Sequence, residues 1–563
     1  MLIRFKIMVA RLKECFSHPA SAFLFILLFP FAIEFIFAEY SERELINRTG
    51  WFIMIWALAY LITYRPLFIL LGLLFTVTGS ADIAYAIEFN GIFTTSSVEA
   101  IAQTNASEAF EFIQSYFSIS AFLIIIFYLI ASLFLLNRFT APGFSHKKAY
   151  KLSAIGFFAI FALLIVDGIV IKHKYGKRLP GIIGAYPEFL KGNLSLSKEI
   201  QQREQLVSNT SYTFTNNEDL PQTYVFIIGE SASRTHMSLY GYQRETNHQL
   251  GQRDDLLLFD NVISNYVQTL PSLRITLTSA DSLASSSHAK SLSVVDAANL
   301  AGFETWWISN QQPLRGTYSA VGYMAKKTIF ISNEFFGNET HRFDNHVLPK
   351  LDLALASEAP KKAIFIHLMG SHLKYDKRYP KSFSKFNAPP YYGFKQALSD
   401  TQKSYIDSYD NSILFSDWIT NNAIEKLNHK ALNDNGLYSL TYIADHGEEV
   451  FDSADFKGHG PDNVTPGMVE IPFITWLSKS FISNRGSQVD QLRQNKSAPA
   501  MLDSFFYFAL DMMNIESDLN NKTKSLFSDQ YLPKNRMVYG IDYDHTMKKQ
   551  SPLITKLSNQ NNK

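Results

Sequence analysis

Long apolar runs fill the first third of the chain, at roughly 20–38, 51–64, 67–87, 118–136 and 152–171. Most approach the ~20 residues with which an α-helix crosses ~30 Å of hydrocarbon. Their clustering predicts five transmembrane helices rather than core helices of a globular domain. A cleaved leader is disfavoured, because no small-x-small site follows the first run and four more runs do. The second run is short, and Arg65-Pro66 divides it from the third, which predicts a tight helical hairpin.

Beyond residue 171 the pattern changes. Residues 181–191 mix glycine, aromatic and aliphatic positions as an interfacial segment does, and 193–222 are polar enough for a linker with some helix. From Thr223 short apolar runs at 224–228, 305–309, 363–368, 437–444 and 471–476 read as strands, and stretches such as 404–427 and 498–513 have helical spacing. The expected organisation is a transmembrane domain at 1–171, an interfacial helix and linker at 172–222, and an α/β domain at 223–563. Residues 88–117 form a polar loop, partly helical at 98–112, expected on the same side of the membrane as that domain.

Charge orients the helices. Arg4, Lys6, Arg11 and Lys13 precede the first run, Arg65 divides the second from the third, and Arg138, Lys147, Lys148 and Lys151 lie between the fourth and fifth. By the positive-inside rule those loops are cytoplasmic, and an odd number of spans sends the C-terminal domain across the membrane. Lys172, Lys174, Lys177 and Arg178 at the exit oppose the rule, although long translocated domains override such local charge. A net charge of +1, from 52 basic and 51 acidic residues, argues against nucleic acid as a partner. Cys15 is the single cysteine, so the α/β domain has no disulfide.

Potential metal ligands follow the strand candidates: Glu230 after Phe226-Ile-Ile-Gly, His372 in His367-Leu-Met-Gly-Ser-His, and Asp445-His446 after Tyr442-Ile-Ala, with His459 in a later glycine-flanked loop. Any one alone reads as an ordinary turn or surface residue. Together, at strand ends of one α/β domain, they form an oxygen and nitrogen set suited to zinc and less to manganese. A metal lowers the pKa of a nearby hydroxyl. Thr269, in Gln268-Thr-Leu-Pro-Ser-Leu-Arg274, stands at a probable helix start, although Thr-x-Pro-Ser is by itself an ordinary helix cap.

Four motifs in order, Gly229-Glu-Ser-Ala-Ser-Arg-Thr-His-Met-Ser-Leu-Tyr-Gly-Tyr242, Trp307-Ile-Ser-Asn-Gln-Gln312, His367-Leu-Met-Gly-Ser-His372 and Asp445-His-Gly-Glu-Glu449, resemble the phosphoethanolamine transferases of Gram-negative inner membranes. The resemblance covers essentially the whole chain and runs closest to the transferases acting on lipopolysaccharide core heptose. It implies a bundle of five transmembrane helices followed by a periplasmic α/β domain of alkaline-phosphatase/sulfatase type. It also implies that Glu230, Thr269, Asp445 and His446 bind zinc, with Thr269 as nucleophile. His372 and His459 would serve a second zinc or the phosphoryl group, Asn310 the substrate, and Thr104 and Glu108 the ethanolamine head group. The implied donor is phosphatidylethanolamine and the implied acceptor lipopolysaccharide or another envelope glycan. Three positions depart from the family: Ala100 replaces an asparagine one helical turn before Thr104, the cysteine pairs of the lipid A branch are absent, and only Arg315 and Lys326 lie near the place of a substrate-binding lysine.

A sulfatase is disfavoured, since formylglycine is made from Cys or Ser and position 269 is neither. A phosphoglycerol transferase shares every element but the donor head group. A catalytically silent receptor on the same scaffold would be free to lose the ligand set, which this chain keeps.

Overall fold

The computed structural model describes residues 21–37, 42–62, 64–89, 118–137, 196–280, 290–311, 317–331, 343–391, 394 and 397–552. The chain divides into two compact units, Met1–Leu194 and Ser195–Lys563.

In the first unit, helices α1 (Ser21–Phe37), α2 (Glu42–Leu61), α3 (Arg65–Phe89) and α4 (Ile119–Asn137) coincide with the first four apolar runs. The fifth run at 152–171 and the loop carrying Thr104 and Glu108 lie outside the described residues. Among the described residues, Arg65–Glu88 and Ile119–Asn137 are long and apolar enough to cross a membrane. Helix α1 has 17 residues, and α2 opens on the polar stretch Glu42 to Arg48 before its apolar part, so neither meets the same measure. The hairpin expected at Arg65-Pro66 is present, with α2 ending at Leu61 and α3 starting at Arg65. Tyr128 on α4 donates to the Ile26 carbonyl on α1 over 2.7 Å, and a buried Glu34–Arg48 ion pair links α1 to α2. Such polar ties are what buried ionisable groups in a membrane require.

The second unit opens with helix α5 (Leu196–Ser208), from which Arg203 reaches the buried Asp296 over 2.9 Å. Its centre is a seven-stranded sheet built from β1 (Gln222–Gly229), β2 (Leu256–Phe259), β3 (Glu304–Ser309), β4 (Lys327–Phe330), β5 (Lys361–His367), β6 (Leu437–Ala444) and β7 (Phe473–Leu477), in the order β2-β7-β6-β1-β5-β3-β4. β7 runs antiparallel to both neighbours, and the other pairings are parallel. Every residue of β1 and β6 is buried, as expected of central parallel strands covered on both faces. The long helix α7 (Asp400–Asp434) is started by a Ser399/Gln402 capping box and ended by Asn435 at φ 59°.

Register positions the chemistry. Ile228 pairs with His367, Gly229 with Ala444, and Ser309 with His367, so β6, β1, β5 and β3 end side by side. The residues that follow them, Asp445-His446, Glu230, Leu368 to His372, and Asn310-Gln311, therefore gather at one edge of the sheet.

Candidate metal centre and active site

Glu230 is fully buried directly after β1, and Ser231 follows at φ 53°, a left-handed conformation disfavoured for a residue with a Cβ. The bend is held from several sides. Ser231 Oγ donates to Glu230 Oε1 over 2.8 Å, Ser231 N donates to Asp445 Oδ1 over 3.1 Å, and the Tyr409 hydroxyl donates to the Ser231 carbonyl over 2.7 Å. At Gly370, φ is 52°, and a Cβ would lie 2.7 Å from both the backbone N and O of Glu230. Only glycine allows the β5 loop to come this close.

Thr269 is the first residue of helix α6 (Thr269–Thr276); the cap position belongs to Gln268, so the Thr269 hydroxyl makes no capping bond. Its Oγ1 lies 3.1 Å from Glu230 Oε2 and 3.3 Å from His446 Nε2. Ser272, one turn further, donates to the Asp445 carbonyl over 2.5 Å and fastens the helix start to the end of β6. His446 Nδ1 donates to the Gly447 carbonyl over 2.8 Å, which turns Nε2 towards Thr269, Glu230 Oε1 at 3.3 Å and Asp445 Oδ2 at 3.4 Å.

Glu230, Asp445 and His446 can each offer one ligand atom within 4.8 Å of the others. Asp445 Oδ2 is buried with no hydrogen-bond partner, a costly state that a cation relieves. Burial and the neighbouring Glu230 raise the Asp445 pKa. Burial opposes ionisation of Glu230 too, but His446 beside it outweighs this and holds the carboxyl well below its ordinary value. Burial disfavours a charged His446, yet Asp445 and Glu230 push it up to about 10, so the carboxylates demand positive charge at this point. A divalent cation satisfies that demand, and the donor set fits zinc.

A second cluster adjoins the first. The His459 ring lies 4.2 Å from that of His446, and its Nδ1 donates to Glu448 Oε2 over 2.6 Å. The Tyr375 hydroxyl donates to the other oxygen of Glu448 over 2.6 Å. His446, Glu448 and His459 form the second group able to hold a metal, and His372 is not part of it. His372 is half-buried, with an enclosed Nδ1 that lacks a hydrogen-bond partner, and desolvation of the ring pushes its pKa down to about 4, so the ring is neutral. Asn310 donates to Asp344 Oδ1 over 2.8 Å, and Asp344 also accepts from Met369 N and Gly370 N, bracing the β5 loop. Lys326 donates to the Phe303 carbonyl over 2.6 Å, and Arg315 lies outside the described residues.

A family model described as Sulfatase matches residues 222–515, a little over half of the chain. The chain belongs to the sulfatase family. Within it, this sulfatase-family chain is similar at 28% identity over 508 residues to phosphoethanolamine transferase CptA of Salmonella typhimurium, covering 85% of this chain and 86% of that protein. The C-terminal periplasmic domain of EptC from Escherichia coli, solved also in complex with Zn, matches 60% of this chain and 98% of its own length at 28% identity and a TM-score of 0.55. The integral membrane phosphoethanolamine transferase A of Neisseria meningitidis matches 91% of this chain and 97% of its own at 20% identity and a TM-score of 0.64. That coverage gives the chain the fold of an integral membrane protein with a sulfatase-type domain. The resemblance carried by the four motifs thus holds.

In the sulfatase-type domain, Glu230, Thr269, Asp445 and His446 come together, and His459 joins them through His446. Three contributors are absent from the motif-based set: Glu448, Tyr375 and Gln311. Gln311 donates to Glu230 Oε2, so the amide reaching the metal group is the one beside Asn310. For Glu448 the sequence signal was its position two residues after His446.

Proposed function

We propose that this chain transfers phosphoethanolamine from phosphatidylethanolamine to an envelope glycolipid, lipopolysaccharide core heptose on the motif resemblance, through a phosphoethanolamine ester on Thr269. The observation that carries the reading is the placement of Thr269 Oγ1, free of capping duty, 3.1 Å from Glu230 and 3.3 Å from His446. Glu230, Asp445, His446 and Thr269 would hold a zinc ion. When bound, it lowers the pKa of the hydroxyl and neutralises charge on the phosphoryl oxygens.

In the first half-reaction Thr269 loses its proton, its oxygen bonds to phosphorus, and the bond from phosphorus to the diacylglycerol oxygen breaks. That oxygen leaves with a proton. In the second, a hydroxyl of the acceptor bonds to phosphorus, the bond to Thr269 breaks, and the threonine recovers a proton. His459, gripped through Nδ1 by Glu448, presents its other nitrogen for these transfers; with His372 it alternatively serves the phosphoryl group or a second zinc. Asn310 contributes to substrate binding by bracing the β5 loop, and Thr104 and Glu108 receive the ethanolamine head group. A lipid donor accounts for the membrane unit, with the protein in the inner membrane and its sulfatase-type domain in the periplasm.

The test is mass spectrometry of the Thr269 peptide after incubation of the full chain with phosphatidylethanolamine. A phosphoethanolamine adduct, absent in Thr269→Ala, is the expected result. A phosphoglycerol adduct formed from phosphatidylglycerol would select the other donor, and sulfate-ester hydrolysis without any adduct would replace transfer by hydrolysis.

A further inference from the structure

Tyr266 lies three residues before Thr269, so their Cα atoms are within about 11 Å of one another whatever the path of the chain between them. Its ring meets that of Tyr539 edge to face, with centroids 5.7 Å apart and planes at 79°. Tyr539 stands at the tip of a C-terminal hairpin in which Met537 pairs with Asp542 and Val538 with Ile541. The two loop residues, Tyr539 at φ 48° and Gly540 at φ 84°, are both left-handed. This hairpin turn favours Asn-Gly, and a tyrosine at its first position costs roughly 1 kcal/mol relative to a residue that tolerates the conformation. Tyr539 nevertheless keeps 40% of its surface exposed. A strained residue presenting a partly exposed aromatic side chain is the kind of feature found at ligand clamps.

The hairpin is locked to the segment that leads into Thr269. Arg536 donates to the Asn261 carbonyl over 2.8 Å and to its side-chain oxygen over 2.9 Å, and the Tyr543 hydroxyl donates to Glu470 Oε1 over 2.7 Å. Val538 and Tyr543 are buried with Ile263 and Val267. Asp503, whose charge bears on the Tyr266 hydroxyl, is ion-paired with Lys534 and supplies polar groups beside the rings.

We infer that the Tyr539 ring, propped edge to face by Tyr266, forms the platform on which a sugar ring of the acceptor lies while its hydroxyl meets the phosphoryl group on Thr269; this rests on the transfer reaction proposed above. A pyranose offers an apolar C–H face to an aromatic ring and polar edges to the groups around it, which matches two tyrosines bordered by an ion pair.

Tyr539→Asn separates the platform from folding, because asparagine suits the turn better than tyrosine. The full chain is assayed in phosphatidylethanolamine-containing nanodiscs, once for the adduct on Thr269 and once for transfer to purified lipopolysaccharide. Expected are an unfolding midpoint at or above that of the parent, and a drop of about tenfold or more in kcat/KM for lipopolysaccharide that falls on transfer rather than on adduct formation. Tyr266→Leu shows the same loss, and Tyr539→Phe keeps transfer because the ring face carries the contact. Parent-like transfer by Tyr539→Asn overturns the platform. Slowed adduct formation overturns it too, by assigning the surface to the donor lipid or the bilayer. Absence of any adduct in the parent protein is a different result, which removes the transfer reaction itself.

Discussion

Gln311 Nε2 donates to Glu230 Oε2 over 3.1 Å and to the Leu368 carbonyl over 3.0 Å, so one side-chain amide ties the carboxylate after β1 to the loop after β5. Outer groups that orient a ligating carboxylate typically account for 10–100-fold in metal affinity. Gln311→Leu is therefore expected to weaken zinc binding by about that factor while leaving the fold intact. Competition against a chelator of known affinity measures it, and an unchanged affinity would show that Ser231 alone suffices to aim Glu230.

Gly370→Ala is expected to damage the same carboxylate from its backbone. The added methyl meets Glu230 N and O at 2.7 Å, and φ of 52° disfavours alanine even where there is space. Strain of this kind costs ~1–3 kcal/mol. Thermal unfolding of the full chain should show a lower midpoint, and metal analysis a lower zinc content. Full zinc occupancy at the parent's midpoint would contradict this account.

Much of this arrangement was legible in the sequence, for physical reasons that also mark where legibility stopped. Central strands β1 and β6 stand out because both faces are covered, β1 through the apolar run Tyr224–Ile228 and β6 through a mostly apolar run broken only by Ser439 and Thr441. The edge strands β2 and β4 have four residues each, and in both only the last residue is buried; Lys327-Thr-Ile-Phe330 carries no comparable signal, and Leu256-Leu-Leu-Phe259 is apolar but too short to stand apart as a strand. The ligands that follow strands β1 and β6 inherit the strands' clarity. Glu448 does not: it is tied to His459 eleven residues on and to Tyr375 in another loop, pairings that only the folded loops create. Likewise Asn310-Gln-Gln offers three adjacent amides, and the loop path decides which of them reaches Glu230.

Tyr375→Phe removes the hydroxyl that secures Glu448 and, through it, His459. If His459 moves protons in transfer, a fall in kcat of about tenfold is expected, a part of the ~10²–10⁴-fold that a positioned acid or base supplies, because the ring remains while its anchor is loosened. The effect should vanish in a His459→Ala background, since Tyr375 acts through that ring. A Tyr375→Phe loss that persists unchanged without His459 would show that the tyrosine serves something else.

His236 carries a consequence for stability rather than catalysis. Its Nδ1 lies 2.7 Å from Asp410 and its Nε2 2.8 Å from Asp452, all three side chains being fully buried. Tyr242 and Arg244 also meet Asp410, at 2.9 and 2.8 Å, and the Tyr409 ring packs edge-on against the imidazole. Burial works against a charged imidazole, but Asp452 and Asp410 outweigh it and raise the pKa to about 9. An unfolded histidine titrates near ~6.5, so the folded state binds the proton more tightly. The resulting stabilisation is complete below that value, declines as pH rises, and is lost on passing about 9, a contribution of roughly 3 kcal/mol. The unfolding midpoint of the full chain in detergent should therefore fall between pH 7 and 9.5. His236→Gln should start lower and show a flatter profile over that window, because it can hydrogen-bond both carboxylates but cannot carry the charge between them. Parallel profiles for the two proteins would place the pH dependence in other groups.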